Sequence, residues 1–201
     1  MKNLNTYIYE KLNIVHKSYS CAPQTKDELI EIIKERLKQD QDADLNDIDV
    51  SNITNMSELF RYLDPHNIDI SKWDVSNVEN MRFMFWHCEN FNSDLKYWDV
   101  SNAKDIYGIF AYCFSFNSDL SKWDVSKVQD MRGMFFHCKQ FTSDLSNWDV
   151  SHVKDMNSMF TYCNKFNSDL NGWDISNVKD MSYMFNGCDS MKELPKWYVE
   201  K

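Results

Sequence analysis

Five cysteines at an even interval are the first residues in this chain whose chemistry asks for an explanation. Cys88, Cys113, Cys138, Cys163 and Cys188 each stand 25 residues apart. Units stacked at the spacing of paired strands would bring such neighbours within about 5 Å of one another, close enough to raise the question of disulfides or a metal. Two features oppose that chemistry. No pair has the Cys-x-x-Cys spacing that zinc sites favour, and each cysteine follows an apolar residue and Phe, Met84-Phe85 before Cys88 and Ile109-Phe110 before Cys113, where a reduced thiol packs as a small apolar group. No metal and no cofactor is expected, and Cys21, outside the register, is the cysteine expected to react. His87-Cys88 and His137-Cys138 set a base beside a nucleophile. Adjacent residues on a helix point about 100° apart, however, which is a poor aim for proton transfer. No catalytic residue is assigned, and the chain is read as a non-enzyme.

Carboxylates form two further rows. One runs through Asp49, Asp74, Asp99, Asp124, Asp149 and Asp174, the other through Asp69, Asp94, Asp119, Asp144 and Asp169. Rows of this kind invite calcium, or imitate the phosphates of a nucleic acid and so capture a protein that binds one. Calcium needs about six to eight oxygens converging on a point, not lying in a line. The simpler reading is that the second row bonds to nearby backbone N–H groups in Asx-turns while the first keeps its face soluble.

The third candidate is a row of side chains that have no need to be apolar. Phe83, Trp86, His87, Tyr107, Tyr112, Phe136, His137, Tyr162 and Tyr183 fall on positions expected to face outward, with Arg61, Arg82 and Arg132 beside them. Aromatics and arginine are enriched at the energetic centres of protein interfaces. The same rings would also stack on one another along the molecule and shield what lies beneath.

All of these candidates are positioned by one repeat. Trp73, Trp98, Trp123, Trp148 and Trp173 share the 25-residue interval, and Ile48 takes that place one unit earlier. Leu95, Leu120, Leu145 and Leu170 stand three residues before a Trp, and Val100, Val125, Val150 and Ile175 two after it. The resulting Leu-x-x-Trp-x-Val has the alternation of a leucine-rich-repeat strand. Asn55, Asn80, Asp105, Asp130, Asp155 and Asp180 then read as helix N-caps, since a short side-chain oxygen accepts a backbone N–H of a first turn. After each, apolar residues fall at i, i+3, i+4 and i+7, as in Met81, Met84, Phe85 and Cys88, the mark of a helix with one buried face. Units two and four share Met-Arg-x-Met-Phe-aromatic-His-Cys, whereas three and five carry Tyr before Cys, so the motif also spans two-unit steps.

The ends fit this frame. Leu45-x-x-Ile48-x-Val50 begins the series, and Leu194-Pro-Lys-Trp197-Tyr-Val199 repeats it one residue early as a closing strand. Ahead of it, Leu4, Tyr7, Ile8, Leu12 and Val15, then Leu29, Ile32, Ile33 and Leu37, outline two helices. The second opens with the capping box Thr25-x-x-Glu28. The fold expected is therefore α/β: a leucine-rich-repeat-like solenoid of six 25-residue strand-helix units at residues 48–201, behind a small helical N-terminal cap at 1–47. A cap is what such a stack needs over its first open edge.

Units of the type Trp-Asp-Val-Ser-Asn-Val-x-Asn-Met-x-x-Met-Phe resemble the bacterial BspA-type leucine-rich repeats and the related Mycoplasma lipoprotein repeat family of unassigned function. The likeness runs from about residue 24 to 199 and includes Thr25-Lys-Asp-Glu-Leu and Asp44-Leu-Asn-Asp-Ile-Asp. It implies a repeat fold and a surface or adhesive role, and it carries no catalytic motif.

Bulk properties set the remaining bounds. A formal net charge of -9 disfavours direct contact with nucleic acid or an anionic membrane. Few glycines and prolines (4 and 3) and 15% aromatics describe a folded chain. No signal-peptide pattern opens the sequence, so a cytoplasmic location is expected, or a surface one if an upstream signal was removed. The expected function is a non-catalytic protein-protein interaction module whose partner is another protein. Its contacts are assigned to Arg82, Phe83, Trp86, His87, Tyr107, Tyr112, Arg132, Phe136, His137, Tyr162 and Tyr183, or to the acidic ladder Asp74, Asp99, Asp124, Asp149 and Asp174. A specific form is an acidic inhibitor of a nucleic-acid-binding protein, of the kind phages use against host defences; the alternative is a BspA-type surface adhesin. Oligomeric state is not legible.

Overall fold

Each 25-residue unit must satisfy its backbone polar groups without a sheet or a helix of its own, and it does so with a chain of tight turns. The computed structural model describes residues 19–199. Among them a single α-helix, α1 (Lys26–Gln39), is followed by turns whose only β-type pairing is a set of isolated parallel bridges. The α/β strand-helix solenoid expected from the sequence is thus not formed.

The physical reasons are local. In the segment read as a strand, the Trp98 N–H donates to the Leu95 carbonyl at 3.1 Å and Ala103 to Val100 at 2.8 Å. Each bond closes a three-residue turn where an extended strand was expected. In the segment read as a helix, bonds also close after three residues, as from Met84 to Met81, Trp86 to Phe83 and Cys88 to Phe85. In units two to five two residues each sit in the left-handed region: Phe83 at φ 55° and His87 at φ 59°, Gly108 and Tyr112, Gly133 and His137, Ser158 and Tyr162. An α-helix cannot continue through them. Their N–H groups reach the neighbouring unit instead, Phe83 to the Tyr107 carbonyl at 2.8 Å and His87 to Ala111 at 3.0 Å. The apolar positions expected to face the core do so, because successive turns bring Met81, Met84, Phe85 and Cys88 to one side just as a helix would; all are fully buried. The closing segment is likewise a turn, Tyr198 bonding back to Pro195.

The expected N-caps perform half of their task. Asn80, Asp105, Asp130 and Asp155 each accept the N–H two residues on, at 3.0–3.1 Å, and the same six positions of the repeat form the ladder of parallel bridges from Asn55 to Asp180. At the N-terminal end α1 is as expected. The Thr25 hydroxyl accepts the Glu28 N–H, the Glu28 carboxylate accepts the Gln24 N–H at 2.7 Å, and Leu29, Ile33 and Leu37 are buried. Arg36 ties the helix to Asp47 at 2.8 Å. The other expected helix, Leu4 to Val15, lies outside the described residues.

Where sheet hydrogen bonds are missing, side chains bridge the units. Every repeat Trp donates its indole N–H to a carbonyl 28 residues back, Trp98 to Ile70 at 3.0 Å, Trp123 to Leu95 at 2.9 Å, Trp148 to Leu120 at 3.0 Å. Each repeat cysteine does the same with its thiol, Cys113 to Phe85 and Cys138 to Phe110, both at 3.0 Å. A carbonyl oxygen has two lone pairs. The Leu95 oxygen gives one to the Trp98 N–H within its own turn and the other to Trp123. Ser118 and Ser143 accept the Leu95 and Leu120 N–H groups, both at 2.8 Å. Two columns of phenylalanine fill the space between: Phe60, Phe85, Phe110, Phe135, Phe160 and Phe185 stack at 5.2–5.8 Å, and Phe91, Phe116, Phe141 and Phe166 at 5.9–6.0 Å.

Two outcomes follow. Trp123→Phe keeps the buried ring but loses the indole donor, and should lower unfolding free energy by about 1–2 kcal/mol in urea titration; an unchanged midpoint would remove the bond's role. Gly108 and Gly133 both lie at positive φ, 58° and 51°. A Cβ on Gly108 would meet the Phe83 ring at 2.5 Å, whereas one on Gly133 finds nothing nearer than 3.6 Å. Both Gly→Ala changes carry a left-handed penalty of about 1–2 kcal/mol. Gly108→Ala should cost more by a clear margin, measured the same way.

Candidate interaction face

The outward side of the turn segments carries a continuous band of rings and guanidinium groups, held in place by the left-handed residues beneath. One column alternates tyrosine and histidine. Tyr62 and His87 stack at 5.8 Å, His87 and Tyr112 at 4.2 Å, Tyr112 and His137 at 5.0 Å, and His137 meets Tyr162 at 4.5 Å. These rings therefore shield the bridging backbone by stacking on one another, the structural option weighed for them in the sequence. Burial, with Lys139 adding to it, lowers the His137 pKa, so this ring prefers to be neutral in the stack. Tyr183 is largely exposed beyond the column.

Beside that column the arrangement changes. Arg61 lies over Trp86 at 4.4 Å and pairs with Glu58 at 2.7 Å. Tyr107 is held between two guanidinium groups, Arg82 and Arg132, each 4.5 Å from its ring centre. Phe83 packs against both Trp86 at 5.7 Å and Tyr107 at 4.5 Å. Such ring–cation contacts are worth about 0.5–1 kcal/mol each at exposed sites, enough in series to fix the side chains before any partner arrives.

A cleft of about 440 Å³ opens in this band. Its walls are Phe83, Trp86, Tyr107, Tyr112, Arg132 and Phe136. Its base is Gly108, Ala111 and Gly133, where the repeat drops its side chains, and its polar end is Asp155, Asn157, Ser158 and Asp180. The structure thus gathers six of the sequence-assigned contact residues around one cavity. Arg82 stands behind Tyr107, while His87, His137 and Tyr162 belong to the stacked column. Sequence reasoning missed the glycines and the acidic end. Consecutive Gly108 and Gly133 at a position held elsewhere by Glu58, Phe83, Ser158 and Tyr183 was the available signal.

Electrostatics are uneven across the cleft. Arg132 donates through Nε to both Asp130 oxygens at 3.0 Å, which raises its already high pKa, and lies 3.8 Å from Asp155. Burial raises the Asp155 carboxyl pKa, against the pull of the Asn157 N–H and Arg132; Asp130 and Asp180 add to the rise. The acidic ladder is differently employed. Asp74, Asp99, Asp124, Asp149 and Asp174 are exposed, and each accepts the N–H of the serine two residues on at 3.0–3.1 Å. The serine hydroxyl, followed by its N–H, holds Asp99 and Asp149 below the usual carboxylate range. Asp69, Asp94, Asp119, Asp144 and Asp169 make the same turn. Each unit thus contains three Asx-turns.

The cysteines form no disulfide and are buried, except Cys21, which is half-buried. Burial pushes the Cys113, Cys138 and Cys163 thiols well above their ordinary range and Cys188 up to about 12, so they stay protonated as donors. Among the described residues no group of three or more His, Cys, Asp or Glu side chains is arranged to hold a metal ion. No helix among them is long and apolar enough to cross a membrane.

Comparison with known proteins gives one result. No curated protein and no solved structure matches the chain. A family model does, twice and with overlap, over residues 31–135 and 113–201, so that the match follows the repeat through nearly all of its units. The chain belongs to the family described as "Mycoplasma protein of unknown function, DUF285".

Proposed function

We propose that this protein is a non-catalytic interaction module that binds another protein through the ring-and-guanidinium band around the cleft. The observation that carries the reading is the combination of Trp86 and Phe136 with an open cavity between them. The remaining aromatic columns stack on themselves, whereas here Gly108, Ala111 and Gly133 carry at most a methyl group and the flanking rings border a cleft. Pre-ordered rings and arginines suit recognition, because little side-chain freedom remains to be lost on binding.

A second, narrower reading assigns binding to the aspartate rows, as an acidic inhibitor of a nucleic-acid-binding protein. Its support is the net charge of -9 and the regular exposed carboxylates of Asp74 through Asp174, kept ionised in several cases by their own turns. The adhesive role implied by likeness to BspA-type repeats rests on motif resemblance alone.

The experiment is a comparative pull-down from the source cell with wild type and a Trp86→Ala/Phe136→Ala double variant, repeated at low and high salt. The band reading expects partners that the double variant loses and that survive salt, since aromatic docking is weakly screened. Identical partner sets for both proteins would exclude the band. Partners retained by the variant and released steeply by salt would favour the aspartate rows.

A further inference from the structure

The band contains the same site twice, two units apart, and the chain fills only one copy. In the first copy Glu58 and Arg61 precede Phe83 and Trp86; fifty residues on, the matching positions are Gly108 and Ala111, then Gly133 and Phe136. In the first copy the Arg61 guanidinium covers Trp86 at 4.4 Å, approaches Phe83 at 5.7 Å and is anchored by the Glu58 carboxylate at 2.7 Å. Arg61 thus occupies the space beside Trp86. In the second copy positions 108 and 111 carry no carboxylate and no cation, and a cleft opens beside them, bordered by Phe136, Tyr107 and Arg132.

We propose that the second copy receives an arginine side chain from a partner protein, whose guanidinium lies against Phe136 as Arg61 lies against Trp86 and pairs with Asp155. The inference rests on the interaction-module reading above and names the chemistry of its partner. Three features support it. The chain's own solution to an aromatic position of this type is a guanidinium, a geometry repeated where Arg82 and Arg132 enclose Tyr107. The cleft offers the carboxylates Asp155 and Asp180, and Arg132 makes its hydrogen bonds to Asp130, standing off Asp155 at 3.8 Å. The half-buried Asp155 carboxyl is more costly to ionise than an ordinary one, a cost that an arriving cation relieves. The overall charge of -9 favours the approach of a basic segment in the same direction.

The test is an NMR titration of the ¹⁵N-labelled full chain, following the Gly108 and Gly133 amides. The probes are the blocked tripeptide Gly-Arg-Gly, its citrulline counterpart, which has the same shape without the charge, and maltose. The arginine peptide should shift both glycines in a saturable manner, and the citrulline peptide should bind about tenfold more weakly or worse, the loss of a ring-cation contact and an ion pair. Asp155→Asn retains an Asx-turn, since Asn55 and Asn80 make it in other units. It should weaken the arginine peptide to the citrulline level while leaving the fold as stable or more so. Ala111→Arg rebuilds the first copy's arrangement and should abolish binding. Equal shifts from arginine and citrulline peptides, shifts from maltose alone, or undiminished arginine binding by both variants would overturn the proposal. Those outcomes leave the pull-down free to succeed, because loss of partners in the Trp86/Phe136 variant depends on the rings and not on the guanidinium.

Discussion

A carbonyl oxygen that accepts two hydrogen bonds is the interaction on which this architecture depends. A unit made of turns spends one lone pair of Leu95 or Phe85 on its own chain, and the second is then met by Trp123 or Cys113 of the following unit. Without those side-chain donors, the oxygens would face a dry interior half-satisfied, and on this side of the unit only stacked rings and the serine hydroxyls would join one unit to the next. The need explains why Trp and Cys recur at these positions: both fill apolar space and carry one N–H or S–H to give. It also accounts for the spacing of 28 residues shared by both bonds, one unit plus one three-residue turn.

The same constraint shapes the surface. Turns that close after three residues leave every other N–H pointing along the stack, and reaching the next unit requires a left-handed residue at two places. Large residues accept that conformation at a cost, here offset by stacking of Tyr62, His87, Tyr112, His137 and Tyr162. The outer band is therefore structural in origin. Its candidate function arises where the structural pattern lapses, at Gly108, Ala111 and Gly133, and the flanking rings border a cleft.

Much of this was legible in the sequence, and the parts that were not share one cause. The period, the buried set and the α1 capping box read correctly, because burial depends on spacing alone. The conformation did not, since apolar residues at i, i+3, i+4 and i+7 satisfy a helix and a run of three-residue turns equally well. Non-glycine residues in the left-handed region, such as Phe83 and His137, leave no trace in a pattern of types. Asp and Asn at positions 55 through 180 were recognised as caps, yet an Asx-turn and an N-cap use the same oxygen for the same N–H. Around the cleft, Trp86, Phe136 and Arg132 were visible as departures from the repeat. The cavity itself was not, because it is made of missing side chains, and Asp155 belonged to a position already explained by folding.

The central claim is that indole donors hold the units together, and hydrogen exchange at the tryptophan side chains reads it directly. Of the seven tryptophans, Trp73, Trp98, Trp123, Trp148 and Trp173 bond to a carbonyl of the preceding unit, while Trp86 lies in the half-exposed band. NMR-detected exchange of the indole N–H protons should show those five exchanging far more slowly than Trp86, with the three central ones slowest. Exchange of all five at the rate of Trp86 would contradict the account.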